Sequence, residues 1–227
     1  MVVAMHMSDG LVNAPTSLAF GLFAVLVLAV AVSRARADLD DRTAPMAGLV
    51  TAFVFAVQMI NFPILPGASG HLLGGALVAI LVGPWVGTLC IAIVLLVQGV
   101  LFADGGLTAL GMNITNMAIV GVFTGYLVAR SLRGFAQRSR RGLGAVAFVA
   151  AFVNTVVASL AFVVEYAIGG AGGASLGTVF ALMVGLHALI GVGEGLITAA
   201  TVGAVASTRP DLIYLLRQPA RVTGSAS

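Results

Sequence analysis

The chain has 227 residues, of which 60% are apolar and 8% charged, and its mean hydropathy is +1.12. A soluble domain carries about 25% charged residues to cover its exterior, so this composition excludes a water-solvated globule and makes lipid the solvent. The formal net charge of +3 rests on eleven arginines and no lysine, the length suits one bundle of six or seven spans without a soluble catalytic domain, and the single cysteine excludes an internal disulfide and a thiolate metal cage.

A short segment, 1–15, precedes the first apolar run at 16–33. Asp9 lies before that run and Arg34 and Arg36 after it, the reverse of a signal peptide's charge order, so a retained first span is expected. The second run covers 45–62 and leads into Asn61-Phe62-Pro63-Ile64-Leu65-Pro66-Gly67-Ala68-Ser69-Gly70-His71. Two prolines and two glycines there predict a shaped connection and not a helix. The stretch from His71 to Asp104 is too long for one span of about 20 residues. Gly83-Pro84 interrupts it, because an interior proline removes a hydrogen bond and clashes with the preceding turn. It divides into a short segment, 72–83, which is tilted, re-entrant or buried in the bundle, and a full span, 85–104. Cys90, inside the latter, reads as a small buried hydrophobe. Further spans are predicted at 107–130, 143–168 and 177–206, followed by a tail at 207–227.

Seven crossings with the N-terminus outside place 34–44, 131–142 and 207–227 in the cytoplasm. With Arg130 at the edge of the second loop, these hold three, five and three arginines, which is all eleven. Basic residues in short loops are retained on that side. A single span over 72–104 would put the five-arginine loop outside, so the split is preferred. Trp85, Tyr126 and Tyr166 fall near span ends, where interface aromatics belong. The predicted fold is an all-α integral protein of a prokaryotic cytoplasmic membrane. It is a bundle of about seven transmembrane helices over 16–206, with an extracytoplasmic segment, 1–15, and a cytoplasmic tail, 207–227.

Polar residues inside such a bundle are expensive. Gln58, Asn61, Gln98, Asp104, Asn113, Asn116 and Glu165 all fall in its outer half, which predicts a cavity or a buried polar segment there. Singly, each reads as an interhelical hydrogen bond worth about 0.6 kcal/mol. His187 and Glu194, seven residues apart on the last span, share one helix face. They are either functional or a hydrogen bond across the bundle. Gly191, Gly195, Ala199 and Gly203 form a small-residue stripe on the same span that permits close helix packing.

His6 and His71 share the outer side. If the mature chain begins at Met5, His6 is its second residue. A free amine, the next main-chain nitrogen and the imidazole Nδ1 then close two chelate rings on one ion. His71 completes a planar nitrogen set, which suits Ni(II), Cu(II) or low-spin Co(II) better than Mg(II) or Ca(II). Capture by such ligands weakens as pH falls, because they must be deprotonated.

Met5-His6-Met7-Ser8-Asp9-Gly10 resembles the N-terminal signature of the CbiM/NikM family, the substrate-binding membrane components of energy-coupling-factor transporters for cobalt and nickel. The resemblance continues through Gln58-Met59-Ile60-Asn61-Phe62-Pro63 and Ser69-Gly70-His71-Leu72-Leu73-Gly74-Gly75. It runs on in Phe102-Ala103-Asp104-Gly105-Gly106-Leu107-Thr108-Ala109-Leu110-Gly111 and in His187-Ala188-Leu189-Ile190-Gly191-Val192-Gly193-Glu194-Gly195. It implies a divalent cobalt or nickel ion, as transported substrate and without any organic cofactor, held by Met5, His6 and His71. Gln58, Asn61, Ser69, Asp104, Asn113, Asn116, His187 and Glu194 are candidates to support that set. It also implies partners: a transmembrane coupling protein like CbiQ, cytoplasmic ATPases like CbiO and a small membrane protein like CbiN. The chain departs from the signature in having Met1 to Ala4 ahead of Met5, where an amide replaces the amine. The functional form is therefore expected to begin at Met5. The resemblance favours cobalt over nickel, because no second domain follows Arg221 and the motifs look more like those of CbiM.

Two other classes compete. A self-sufficient ion-coupled transporter would use Glu165, His187 and Glu194 as proton carriers. An intramembrane enzyme lacks support, since there is no His-Glu-x-x-His and no nucleophile with a placed base. No phosphate loop of the Gly-x-x-x-x-Gly-Lys-Ser/Thr type occurs, so energy must come from partners. No nucleic-acid partner is expected.

Overall fold

A computed structural model of the chain describes residues 6–60, 62–65 and 68–217, and of 62–65 and 68–70 only the backbone. The first helix, α1 (Ala14–Asp38), starts where Asn13 caps it by accepting a hydrogen bond from Thr16 N at 3.0 Å, with a proline in its first turn. It runs through Arg34 and Arg36, so the loop expected from residue 34 is shorter. Alanine and arginine are good helix formers, and Arg36 sits favourably in the last turn. Next come α2 (Thr43–Gln58) and an antiparallel hairpin of β1 (Phe62–Leu65) and β2 (Ala68–Gly70). The expected shaped connection is thus partly strand.

The 72–83 segment resolves into an extended lead-in and a two-turn helix, α3 (Gly75–Val82), every residue of which is buried. Gly83 ends it, and Pro84 opens α4 (Pro84–Leu101). The fifth apolar run is one continuous rod, Leu110–Ser131. It comprises α5 (Leu110–Asn113), a π-helical stretch (Ile114–Gly121) and α6 (Val122–Ser131). After the single turn α7 (Arg133–Ala136) come the long helices α8 (Arg140–Gly169) and α9 (Leu176–Thr208). Five of these rods are long and apolar enough to cross a membrane, and α2 is shorter.

The helices α8 and α9 lie antiparallel and packed along their length, with Gly191 and Gly195 backed onto Phe152 and Phe148. Half of the small-residue stripe therefore serves packing within the bundle, while Gly203 faces open space. Buried α3 packs on α4, α6 and α8, and α1 lies outermost with most of its side chains exposed. The arginine-bearing stretches meet at one end. Arg217 Nη1 donates to Thr43 Oγ1 at 3.1 Å, Arg133 donates to the Arg217 carbonyl, and Arg42 stands 3.8 Å from Asp211. The tail begins by folding back there, with Ile213 and Leu215 buried and Tyr214 against Gly83. The loops bearing His71 and Asp104 and the α8–α9 turn gather with residues 6–13 at the opposite end, where Asn13 N donates to Gly169 O at 2.8 Å.

Candidate metal centre

Residues 6–9 are laid against the loop that follows α4. Asn113 takes both main-chain groups of Met7: its Oδ1 accepts from Met7 N at 2.7 Å and its Nδ2 donates to Met7 O at 3.2 Å. Gly106 N also donates to Met7 O, at 2.9 Å. The Asp9 carboxylate accepts from the main chain and hydroxyl of Thr108, which holds its pKa below the ordinary value. Gly106 has no room for a side chain, because a Cβ would overlap the Asp9 backbone.

This docking brings His6 to the other histidine loop. The His6 and His71 rings stand 4.6 Å apart between centroids, tilted by 42°, and both residues are buried. His6 Nδ1 lies 2.9 Å from Asp104 Oδ1. His71 Nδ1 lies 3.0 Å from Leu72 O. In each case the oxygen is an acceptor, so the ring donates from Nδ1, and the lone pair of a neutral ring then falls on Nε2. Both Nε2 atoms are buried and without a hydrogen-bond partner. Burial, with His6 alongside, pushes His71 down to about 4, so its imidazole is neutral at pH 7. The hydrogen bond from His6 holds the Asp104 carboxylate below its usual range.

The expected chelate requires Nδ1 of His6, and the structure turns that atom to Asp104. Met5 lies outside the described residues, as does Asn61, and the side chain of Ser69 is not described. Among the described residues no three carboxylate, imidazole or thiol groups converge closely enough to hold an ion by themselves. An ion held by the two imidazoles would need further donors beside them, such as main-chain or terminal nitrogens. A cavity of about 370 Å³ opens next to the pair, its wall including His6, Asp9, Asp104, Tyr166 and Met183.

His71 is carried by the extended stretch 71–74. Gln58 Nε2 donates to Leu73 O at 2.6 Å, while Leu73 N and Gly74 N donate to the two oxygens of Glu194 at 2.8 and 3.0 Å. Asn154 Nδ2 and Thr155 Oγ1 of α8 reach the same carboxylate at 3.0 and 2.9 Å. Gly74 stands at φ +80, and a Cβ there would press on Val54. Asn154 and Thr155 were not among the polar residues singled out from the sequence, although an adjacent Asn-Thr inside an apolar run is the signal that marks them.

The remaining candidates are placed as follows. His187 and Glu194 both face the interior, and His187 Nδ1 lies 2.6 Å from Met183 O, one turn earlier. Asn116, on the π-helical stretch, donates to Glu165 at 2.7 Å and joins neither histidine loop. Gln98 lies in the last turn of α4: its carbonyl accepts from Phe102 N and Asp104 N, both at 3.1 Å, which sets Asp104 in place.

The sequence model of CbiM, described as a cobalt uptake substrate-specific transmembrane region, matches residues 6–212. The cobalt transport protein CbiM of Sorangium cellulosum is 30% identical over 230 residues, which cover 98% of this chain and all of that one. The fused nickel transport protein NikMN of Rhodobacter capsulatus is 33% identical, over 95% of this chain and 66% of its own length. A crystal structure of a truncated transition metal transporter superposes with a TM-score of 0.81 at 27% identity, covering 89% of this chain and 98% of that one.

Proposed function

The chain belongs to the CbiM family of cobalt-uptake substrate-specific transmembrane proteins, and from that premise we propose that it captures a divalent cobalt or nickel ion outside the cell for import. It is a multi-pass membrane protein and a transporter component of metal uptake, not an enzyme. The observation that carries the reading is the meeting of His6 and His71, from two separate segments, with His71 Nε2 buried and unpartnered.

The ligands in this reading are the Met5 nitrogen, the main-chain and ring nitrogens of His6, and His71 Nε2. Such a planar nitrogen set suits low-spin Co(II) and Ni(II). To join it, the His6 ring leaves Asp104, whose carboxylate then stays beside the dication and balances its charge. Asn113 holds the N-terminal segment, Gln58 and Glu194 hold the His71 loop, and Asn61, Ser69, Asn116 and His187 support the surroundings. The segment 1–15 lies outside, the bundle 16–206 crosses the membrane seven times with α3 as its short third segment, and 207–227 is cytoplasmic. The gathering of the arginines at the end opposite the histidines supports that orientation.

The chain contains no phosphate loop for ATP. Import then draws on a CbiQ-like coupling protein and CbiO-like ATPases, with a CbiN-like accessory protein. Relatives named for cobalt and for nickel share comparable identity with this chain. We read cobalt first and keep nickel as the alternative. The test is metal content and Co(II) and Ni(II) titration of the purified protein and its His6→Ala, His71→Ala and His187→Ala variants. Loss of stoichiometric binding in the first two, with a smaller effect in His187→Ala, supports the reading. Binding unchanged in His71→Ala overturns it.

A further inference from the structure

We propose that Glu194 is a positioning residue for the metal centre: through the main-chain N–H groups of Leu73 and Gly74 it fixes where His71 presents its Nε2. This rests on the reading of His71 as a ligand. Glu194 is a buried carboxylate on α9, and it meets four donors with two on each oxygen. Asn154 and Thr155 of α8 supply two, and the loop that ends in α3 supplies the others.

The two main-chain donors stand at the entrance to α3: Gly74 is its cap residue and Leu73 the residue before it. The N–H of a cap residue has no partner within the helix, and Gly74 has no side chain of its own to offer there. Glu194 therefore holds the approach to α3 from a neighbouring helix, and a carboxylate suits the positive end of the helix dipole. Gln58 fixes the opposite edge of the same peptide stretch through Leu73 O. With the backbone held at Leu73 and Gly74, the reach of His71, two residues upstream of Leu73, is set relative to α8 and α9. A carboxylate in a membrane interior without its partners is costly, so the loop and Glu194 hold each other.

A group that holds a ligand in its binding position raises affinity, and the coupling is reciprocal: the ion must tighten the hold in turn. Loss of an outer hydrogen-bond partner typically costs about 10–100-fold in metal affinity. Glu194→Gln keeps the size but replaces one acceptor oxygen with a donor, so two of the four donors facing it, one main-chain and one side-chain, lose their acceptor whichever way the amide turns. Thr155→Val leaves both main-chain bonds in place.

The experiment titrates the full-length protein with Ni(II), reading affinity and the visible absorption of the bound ion. Glu194→Gln is expected to weaken binding roughly 10–100-fold and to shift the absorption of the bound fraction, with Thr155→Val close to the parent in both. Should Glu194→Gln lower only the yield of folded protein, with parental affinity and absorption in what folds, the proposal is overturned. Should it not fold at all, hydrogen exchange of the Leu73 and Gly74 amides in the unmodified protein decides. Slower exchange with Ni(II) supports the coupling, and unchanged exchange overturns it. His71→Ala separates the two readings. If it binds as the parent does, the ligand assignment falls and this inference with it. If it loses binding while Glu194→Gln binds normally, the positioning role alone falls.

Discussion

Asn113 holds Met7 by both of its main-chain groups, at 2.7 and 3.2 Å, as one strand holds another. One asparagine at the head of a membrane-spanning rod thereby ties down the segment that carries His6. In Asn113→Leu, Met7 N loses its acceptor in a buried place, at a cost of about 1–3 kcal/mol. The segment should detach without unfolding the bundle. Metal affinity is expected to drop by about tenfold or more, since 1.4 kcal/mol is tenfold. Limited proteolysis should cut near residue 10 in the variant and spare the parent. Equal resistance and equal affinity would show that the Met7 clamp is not needed.

Much of this architecture was legible because each apolar run is bracketed by arginine, proline or glycine, and a helix occupies each of the seven runs. Gly83-Pro84 marked the break between α3 and α4 through the proline rule alone. The hairpin at 62–70 was not legible as strand, because prolines and glycines leave no alternation to read. The π-helical stretch was invisible too, since nothing in the 3.6-residue pattern announces one extra residue per turn. At the site, the sequence named His6, His71, Asp104, Asn113 and Glu194, while their pairings depend on contacts about 100 residues apart. The His6 Nδ1 to Asp104 hydrogen bond is such a contact, and it places an acceptor where a bare chelate was expected.

The acid behaviour of His71 follows from its burial. An unfolded histidine binds its proton near 6.5, whereas His71 does so only at about 4. Between those values the unfolded chain holds the extra proton, so this contribution to stability falls as pH drops through 6.5 toward 4. Well above that value the imidazole is neutral and has no proton to give up to an incoming ion. NMR of the His71 ring protons is expected to show flat shifts from pH 7 to about 5 and a transition only near the lower value. A midpoint near 6.5 would mean the ring is solvated and the site more open.

The placement of the arginines makes a topological statement. A reporter fused after Ser227 should be cytoplasmic, and one inserted at Gly172, in the α8–α9 turn, extracytoplasmic. Both on one side would remove α3 as a crossing segment.

A terminal amine gives up a proton to a metal far more readily than an amide does. A chain beginning at Met5 should therefore bind Co(II) and Ni(II) more tightly than one carrying Met1 to Ala4, with most of the affinity lost in the longer form. Titration of the two, each verified by N-terminal sequencing, checks this. Equal affinities would withdraw Met5 as a ligand.

Asp104 offers the finest discrimination, because it touches His6 without being required as a ligand. In Asp104→Asn, the amide oxygen can still accept from His6 Nδ1 at the present 2.9 Å, so the ring keeps its place and only the charge is lost. A carboxylate beside a dication adds Coulomb attraction that salt screens over about 8–10 Å. The variant should bind about tenfold more weakly at low ionic strength, as expected for a partner just outside the ligand set, and the gap should narrow in high salt. The visible absorption of bound Ni(II) should match the parent, since the nitrogen set is the same. A changed absorption with a loss insensitive to salt would instead make Asp104 a direct ligand, and His6 would then keep its present tautomer and bind the ion, if at all, through Nε2.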